Sequence, residues 1–298
     1  LEVLEGMSQR ALEPNTISYN AATSACEKGG QWQRALELLE GMPQRALEPN
    51  VISYSVVMSA CDNGGQWQRA LEVLEGMSQR ALTPDTISYN AATSACEKGG
   101  QWQRALELLE GMPQRALEPN VISYSAVMSA CDNGGQWQRA LEVLEGMSQR
   151  ALKPDVISYS AAISACEKGG QWQRALELLE GMLQRALEPN VISYGAAMSA
   201  CDNGGQWQRA LEVLEGMPQR ALKPDTISYN VALACCVQGG RPGHASAVLD
   251  AFPNAEEELR TCGRSCWMPS GASTTRAAED AERCSGTWRR RRFTRRAR

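Results

Sequence analysis

The chain has 298 residues, 43% of them hydrophobic and 6% aromatic, and a formal charge of −4 from 30 Lys and Arg against 34 Asp and Glu. No run of residues approaches the roughly 18 apolar positions of a membrane-spanning helix, so we predict no such helix. The only histidine, His244, cannot supply a Ser-His-Asp or Cys-His arrangement to a repeated element, and phosphate-binding and zinc-deaminase motifs do not occur. We therefore predict that the chain is not an enzyme and uses neither a metal nor another cofactor.

A 35-residue unit recurs along most of the chain. Each unit opens on TISY or VISY, and Thr16–Asn50 is identical to Thr86–Asn120. Alternate units carry Cys-Glu-Lys and Cys-Asp-Asn, which indicates that a 70-residue pair was duplicated. A fixed period of this length predicts stacked repeats instead of one central core.

In chain order, the sequence predicts four regions. Residues 1–15 match the second half of a unit whose first half is absent, so we expect the chain to be a fragment, and residues 16–225 hold six complete units. Residues 226–260 are a degenerate seventh unit, in which Pro242 replaces the usual Trp, as expected of a repeat that caps the stack. Residues 261–298 lose the period and are predicted to be a disordered, Arg-rich tail.

The unit at 51–85 shows what each repeat contains. Its first half has apolar residues at the i, i+3, i+4 and i+7 spacing of one helix face, namely Tyr54, Val57, Met58 and Cys61. A Gly-Gly pair ends this helix, and the second half repeats the spacing with Trp67, Ala70, Leu71, Leu74 and Met77. A turn containing Pro84 closes the unit. Each unit is therefore predicted to be a helical hairpin, and the hairpins to stack into a solenoid that turns to the right or to the left.

The basic residues are concentrated at the end of the chain. Seven arginines and no acidic residue lie in 288–298, so residues 1–287 have 23 basic against 34 acidic residues, a formal charge of −11. The tail is therefore either a nonspecific phosphate contact or a solvated extension.

Six of the eleven cysteines recur once per unit on the predicted buried face, at Cys26, Cys61, Cys96, Cys131, Cys166 and Cys201. Stacked helices lie about 8–10 Å apart, beyond the reach of about 7 Å between the Cα atoms of a disulfide. We predict that these cysteines are small core residues in a reducing compartment. Neither Cys235-Cys236 nor Cys262 with Cys266 has the partners of a zinc site.

The other face of the first helix carries one aliphatic residue per unit, which we predict to be exposed: Ile17, Ile52, Ile87, Ile122, Ile157, Ile192 and Ile227. Two small polar positions vary between units. The residue after the Tyr is, in order, Asn20, Ser55, Asn90, Ser125, Ser160, Gly195 and Asn230, and the residue after the closing Pro is Asn50, Asp85, Asn120, Asp155, Asn190 and Asp225. The second position also suits an N-cap of the next helix, and capping does not exclude contact with a ligand.

These features together resemble the pentatricopeptide repeat over about residues 1–260. They are the 35-residue period, the [VT]-I-S-Y-[NS] opening, the Cys before Gly-Gly, the ALELLEGM second helix and the closing Pro-[ND]. Tetratricopeptide repeats step by 34 residues and place their Trp, Gly and Tyr differently. The resemblance implies an all-α solenoid, a right-handed superhelix of helix-turn-helix repeats, which binds single-stranded RNA in a chloroplast or mitochondrion. Trp67 and Ala81 depart from the family pattern, which has Leu and Gly at these places.

The resemblance also implies a role for each recurring residue. The strand would lie on the concave surface at one base per repeat, with the isoleucines between bases and the two variable residues reading each base. Lys28, Lys98 and Lys168 would lie near phosphates, a place taken in alternate units by Asn63, Asn133 and Asn203.

Hydrogen-bond chemistry then predicts a target sequence. A carboxylate only accepts, so Asp suits the ring N–H of guanine or uracil, whereas Asn can also donate and suits adenine or cytosine. A long Asn as first reader favours a pyrimidine, and Ser or Gly leaves room for a purine. The six pairs from Asn20 with Asn50 to Gly195 with Asp225 predict 5′-YGYGAG-3′, with Y mostly C. Asn230 has only Arg260 as its partner, and its base stays open.

We therefore predict a sequence-specific single-stranded RNA-binding protein that acts on the processing, stability or translation of organellar transcripts by occupying them, without a membrane partner. The alternative is a helical-repeat scaffold for protein partners, whose groove would need apolar pockets or a charged clamp instead of one aliphatic and two small polar residues per repeat. A third interpretation is an RNA-processing enzyme whose catalytic domain is not part of this sequence.

Overall fold

The structure is a computed structural model that describes residues 12–251. These residues form helices joined by short turns, and they contain no strand. The helices, numbered α1 to α14, are Thr16–Lys28, Trp32–Gln44, Val51–Asn63, Trp67–Gln79, Thr86–Lys98, Trp102–Gln114, Val121–Asn133, Trp137–Gln149, Val156–Lys168, Trp172–Gln184, Val191–Asn203, Trp207–Gly216, Thr226–Gln238 and Pro242–Ala251, with a 3₁₀ turn at Pro218–Arg220. Odd-numbered helices are the first helices of the repeats and even-numbered helices are the second helices. Most of the predicted half-repeat at 1–15, the end of the capping repeat and the tail at 261–298 lie outside the described residues.

The chain divides into two compact units with the boundary between Ala200 and Cys201. In the first unit, each first helix packs on the next first helix, from α1 to α9. Each second helix from α2 to α8 packs on the first helix of its own repeat and on that of the following repeat. In the second unit, α13 packs on both α12 and α14. The predicted all-α architecture of stacked helical hairpins is therefore confirmed.

The first helices bury the face that the sequence predicted. Tyr54, Val57, Met58 and Cys61 in α3 are all buried. The equivalent cysteines in the later repeats are buried free thiols, whereas Cys26 is half-buried. Burial raises the pKa of each buried thiol of this series to about 11, which makes it unreactive at neutral pH, in the residues Cys61, Cys96, Cys131, Cys166 and Cys201.

The predicted buried face of the second helix is partly wrong. Ala70, Leu74 and Met77 in α4 are buried, but Trp67 and Leu71 are only half-buried. Val73, which the spacing did not include, is buried instead. The second helix packs on two first helices, one from its own repeat and one from the following repeat. Its buried face therefore includes residues outside a single apolar stripe.

The Gly-Gly pair ends each first helix for two different reasons. A Cβ added at Gly64 would lie 2.4 Å from Cδ1 of Trp32, the first residue of the second helix in the preceding repeat. Gly65 has a φ of +65°, in the left-handed region that side chains disfavour. The first glycine therefore makes room for a tryptophan, and the second allows the chain to reverse.

Gly134→Ala is expected to destabilise the protein because the new Cβ would lie 2.5 Å from Cδ1 of Trp102. Overpacking of this kind costs about 1–3 kcal/mol. Gly111→Ala is the matched control, because Gly111 lies within α6 and has open space around its Cα. It should stabilise the protein by about 0.5–1 kcal/mol through helix propensity. Urea denaturation measures the free energy of unfolding of both variants. A Gly134→Ala variant that is more stable than the original protein would contradict the packing of Trp102 against Gly134.

An alanine in the left-handed conformation follows each second helix from α2 to α12. Its φ lies between 54° and 59° in Ala46, Ala81, Ala116, Ala151, Ala186 and Ala221. Glycine is the usual residue after a helix in this conformation because it lacks the Cβ that meets the carbonyl oxygen. Ala81 departs from the family pattern, which has Gly at this place. The backbone is therefore strained at Ala81 and at the equivalent alanine of the other five repeats.

Candidate nucleic-acid interface

One isoleucine per repeat projects from the first helices into solvent. The exposed fraction is between 61% and 76% for Ile17, Ile52, Ile87, Ile122, Ile157, Ile192 and Ile227. Within residues 12–251 the other exposed large aliphatic side chains are Leu12 and Val237. The predicted exposure is therefore confirmed, and packing within the fold does not account for these isoleucines.

The residue after each closing proline caps the next first helix. Its side-chain Oδ1 accepts a hydrogen bond from the backbone N–H of the serine three residues later, at 2.8–3.1 Å, in Asn15, Asn50, Asp85, Asn120, Asp155, Asn190 and Asp225. At Asn50 and Asn120 the hydroxyl of that serine also accepts a hydrogen bond from the backbone N–H of the asparagine, which completes a capping box. The predicted N-cap is confirmed. Asp and Asn both use Oδ1, so the repeats differ at the remaining atom, Oδ2 of Asp or Nδ2 of Asn.

The two variable residues assigned to one base lie next to each other in the structure. In the first repeat, Nδ2 of Asn20 lies 3.5 Å from Oδ1 of Asn50, and in the third repeat Nδ2 of Asn90 lies 3.5 Å from Oδ1 of Asn120. The hydroxyl of Ser123 donates to Oδ1 of Asn90 at 2.6 Å. This bond occupies the amide oxygen and directs the amide nitrogen of Asn90 toward its partner.

Where the first variable residue is serine, a buried serine connects it to the second. Oγ of Ser55 lies 3.1 Å from Oγ of Ser88, and Ser88 donates its proton to Oδ1 of Asp85 at 2.8 Å. The same arrangement joins Ser125 to Asp155 through Ser158, and Ser160 to Asn190 through Ser193. Sequence reasoning missed these serines, although their place three residues after the cap is the spacing of a capping box.

The last candidate residues are placed less completely. Gly195 lies in α11 and has no side chain, and Asp225 caps α13 in the second unit. Asn230 is half-buried in α13. Its assigned partner, Arg260, lies outside the described residues.

Two of the three lysines that were predicted to lie near phosphates form ion pairs within the protein. Nζ of Lys98 lies 2.9 Å from Oδ1 of Asp62, and Nζ of Lys168 lies 2.9 Å from Oδ1 of Asp132. Each aspartate belongs to the preceding repeat. Lys28 is exposed at the end of α1. These ion pairs were not predicted, because their partners are 36 residues apart and no sequence signal shows that the two helix ends meet.

The ends of the first helices are acidic in spite of these lysines. Burial raises the pKa of Glu97, and the nearby carboxylate of Asp62 raises it further. Glu167 has a raised pKa for the same reasons, with Asp132 as the neighbouring carboxylate. A phosphate backbone would therefore meet carboxylates here as well as lysines.

Two further features, a metal site and a membrane-spanning helix, were sought in the part of the chain that the structure describes. Residues 12–251 contain no group of three or more His, Cys, Asp or Glu side chains arranged to hold a metal ion. In the same residues no helix is both long and apolar enough to cross a membrane.

The fold and this surface define a helical-repeat solenoid, and comparison with family models gives its family. The pentatricopeptide repeat domain matches four overlapping segments, residues 72–134, 107–169, 142–204 and 177–239. The related PPR repeat family matches residues 14–63. The four overlapping matches alone span more than half of the 298 residues, so the chain belongs to the pentatricopeptide repeat family. The comparison with curated proteins gives no match.

Solved structures show the same fold. The pentatricopeptide repeat protein PPR10 from maize is 24% identical, with a TM-score of 0.69, over 84% of this chain and 36% of PPR10. PPR10 in complex with an 18-nucleotide psaJ RNA element gives 21% identity and a TM-score of 0.74, over 84% and 37%. The PPR domain of Arabidopsis thaliana protein-only RNase P 1, in complex with tRNA, gives 15% identity and a TM-score of 0.51, over 65% and 95%. The chain thus spans about a third of the length of PPR10.

Proposed function

We propose that this protein binds single-stranded RNA along its first helices, with one base per repeat, and that it acts by occupying the transcript. The observation that supports this most directly is a group of three side chains that recurs in the first five repeats. It consists of an exposed isoleucine and two adjacent small polar residues, the second of which caps the first helix of the following repeat. Solved PPR10 and protein-only RNase P 1 structures contain RNA, which agrees with an RNA ligand for this fold.

The hydrogen bonds of the caps explain how one residue can both fix a helix and read a base. Asp85 uses Oδ1 for the backbone N–H and the hydroxyl of Ser88, which leaves the acceptor Oδ2 for a ligand. In Asn120 the backbone N–H of Ser123 donates to Oδ1, and the donor Nδ2 remains. An acceptor matches the ring N–H of guanine or uracil, and a donor matches the ring nitrogen of adenine or cytosine.

Except in the pair of Gly195, the first reader adds a second hydrogen-bonding atom to each pair. The proton of Ser158 is given to Asp155, so the proton of Ser125 must be the one between the two hydroxyls, and Ser125 presents its lone pairs to a ligand. An acceptor beside an acceptor suits guanine, which has neighbouring ring and exocyclic N–H donors. The paired amides of Asn90 and Asn120 present donors and suit cytosine. These arguments support 5′-YGYGAG-3′ as the preferred target.

A scaffold for protein partners is supported less well by this surface. A peptide groove would present contiguous apolar pockets. Within residues 16–225 the exposed aliphatic side chains of the first helices recur once per repeat and are separated by polar groups. That spacing fits bases of a strand that are separated one by one. By the family resemblance we propose that the targets are chloroplast or mitochondrial transcripts, whose processing, stability or translation the bound protein controls.

Asp85→Asn is expected to change the preferred second base from guanine to adenine, because a donor replaces the acceptor that faces the ring N–H. The cost against the original RNA should be about 1–3 kcal/mol for that one base. Asn50 and Asn120 cap their helices in this same protein at 3.0 and 3.1 Å, so the variant should fold normally. Selection from a randomised single-stranded RNA pool measures the preference at every position at once.

The reverse substitution is the matched control. Asn120→Asp should move the third base from cytosine toward uracil and leave the second base unchanged. An equal loss of affinity for all RNAs, or an unchanged preference in both variants, would show that these residues are only helix caps.

A further inference from the structure

The ion pairs at the ends of α5 and α9 occupy the ammonium groups of Lys98 and Lys168. Lys98 and Lys168 are about half-exposed, with 44% and 43% of the side chain accessible, whereas Asp62 and Asp132 are mostly buried. Nζ of Lys168 also donates to the backbone carbonyl of Asp132 at 3.1 Å. The lysine is thus the more accessible partner, and the aspartate is mostly buried at the junction between two repeats.

A lysine that leaves this junction for a phosphate leaves a carboxylate behind. Removal of the lysine is unfavourable, because the mostly buried carboxylate that remains has lost water and no longer has its counter-charge. The neighbouring Glu97 and Glu167 add to the local negative charge. Phosphate binding by Lys98 or Lys168 must therefore compete with an interaction that already exists in the free protein.

We infer that Asp62 and Asp132 limit the affinity of this protein for RNA by competing with phosphates for Lys98 and Lys168. The inference depends on the proposed function, since it concerns the same strand on the same surface. The Cys-Asp-Asn repeats supply the competing aspartate. The Cys-Glu-Lys repeats that follow them therefore bind phosphate more weakly than a repeat with an unpaired lysine would. Only the order of the two kinds of repeat creates the competition.

The third aspartate of the series provides a matched control. Asp202 occupies the same place in the sixth repeat, but the residue 36 positions later is Gln238 in place of a lysine. Asp132→Asn and Asp202→Asn therefore change the net charge equally, and only the first releases a lysine. Both variants and the unchanged protein are titrated with a fluorescent YGYGAG-containing RNA at several salt concentrations, after thermal unfolding has shown that each is folded.

Asp132→Asn is expected to bind several-fold more tightly at low salt. Its log–log salt slope should steepen by about 0.7, the value for one additional phosphate contact on a single strand. Asp202→Asn should keep the original slope, and Lys168→Ala in the Asp132→Asn background should abolish the gain. Equal gains for both aspartate variants, or a gain that survives Lys168→Ala, would overturn the inference in favour of a general charge effect. An unchanged slope in Asp132→Asn would also overturn it.

Failure of the proposed function gives a different result. If neither the unchanged protein nor Asp132→Asn binds the RNA at low salt, the proposed function is contradicted and the inference is contradicted with it. If the unchanged protein binds with the expected base preference and all slopes are equal, the inference alone is wrong.

Discussion

Simultaneous replacement of Ile87, Ile122 and Ile157 by serine is expected to weaken RNA binding by about a hundredfold and to leave thermal unfolding unchanged. Full burial of an isoleucine side chain contributes about 1.5–3 kcal/mol, and a side chain that is covered by bases on an open surface gains roughly half of this. Three such losses amount to about 3 kcal/mol, or two orders of magnitude in Kd. Stability should be preserved because these side chains are 63–66% exposed and serine has a similar helix propensity.

The control for this variant is Leu12→Ser, which removes another exposed aliphatic side chain outside the first helices. Its RNA affinity should be that of the unchanged protein. Fluorescence anisotropy with the predicted target and with a scrambled RNA separates a general loss of affinity from a loss of preference. A triple variant that binds as tightly as the original would place the strand on another surface.

Substitution of all six left-handed alanines by glycine is expected to stabilise the protein by several kcal/mol. Each alanine has a φ between 54° and 59°, and glycine at such a position relieves strain at a small entropic cost, for a net gain of about 0.5–1 kcal/mol. Repeat proteins add local contributions nearly independently, so the gains should accumulate along the stack. Guanidinium denaturation of variants with two, four and six substitutions would show a stepwise increase in the free energy of unfolding.

Ala21→Gly is a control that should lower the stability, whereas the six substitutions should raise it. Ala21 is an exposed residue within α1, where glycine is about 1 kcal/mol less favourable than alanine. If the six substitutions destabilise the protein as Ala21→Gly should, the left-handed alanines carry no strain and the turns tolerate a Cβ.

The helical hairpins could be predicted from the sequence, because the repeat length and the spacing of apolar residues within a helix are both local signals. Tyr54, Val57, Met58 and Cys61 were predicted to face the core and do so. The second helix was predicted less well, because it also packs on the first helix of the following repeat, a contact that spacing within one helix cannot reveal. Val73 is buried although the spacing did not include it. The steric need for Gly64 has the same origin, since the tryptophan that meets it comes from the preceding repeat.

The candidate site was likewise predicted only in part from the sequence. The exposure of the isoleucines follows from their place opposite the apolar stripe, and the capping role of Asp85 follows from its place before the helix. The partners of Lys98 depend on which helix ends meet in the stack. The family resemblance implied a phosphate contact for this lysine, whereas the structure shows a carboxylate already at that place.

The order of the two kinds of repeat restricts how this chain can change in length. The pair of Asp62 with Lys98 exists because a Cys-Asp-Asn repeat is followed by a Cys-Glu-Lys repeat, and Asp132 meets Lys168 in the same way. Loss of one 35-residue repeat would place two repeats of one kind side by side and remove such a pair. Gain or loss of a whole 70-residue pair of repeats reproduces the existing junctions. If each repeat binds one base, as we propose, the recognised strand would then grow or shorten by two nucleotides at a time and the existing junctions would be kept.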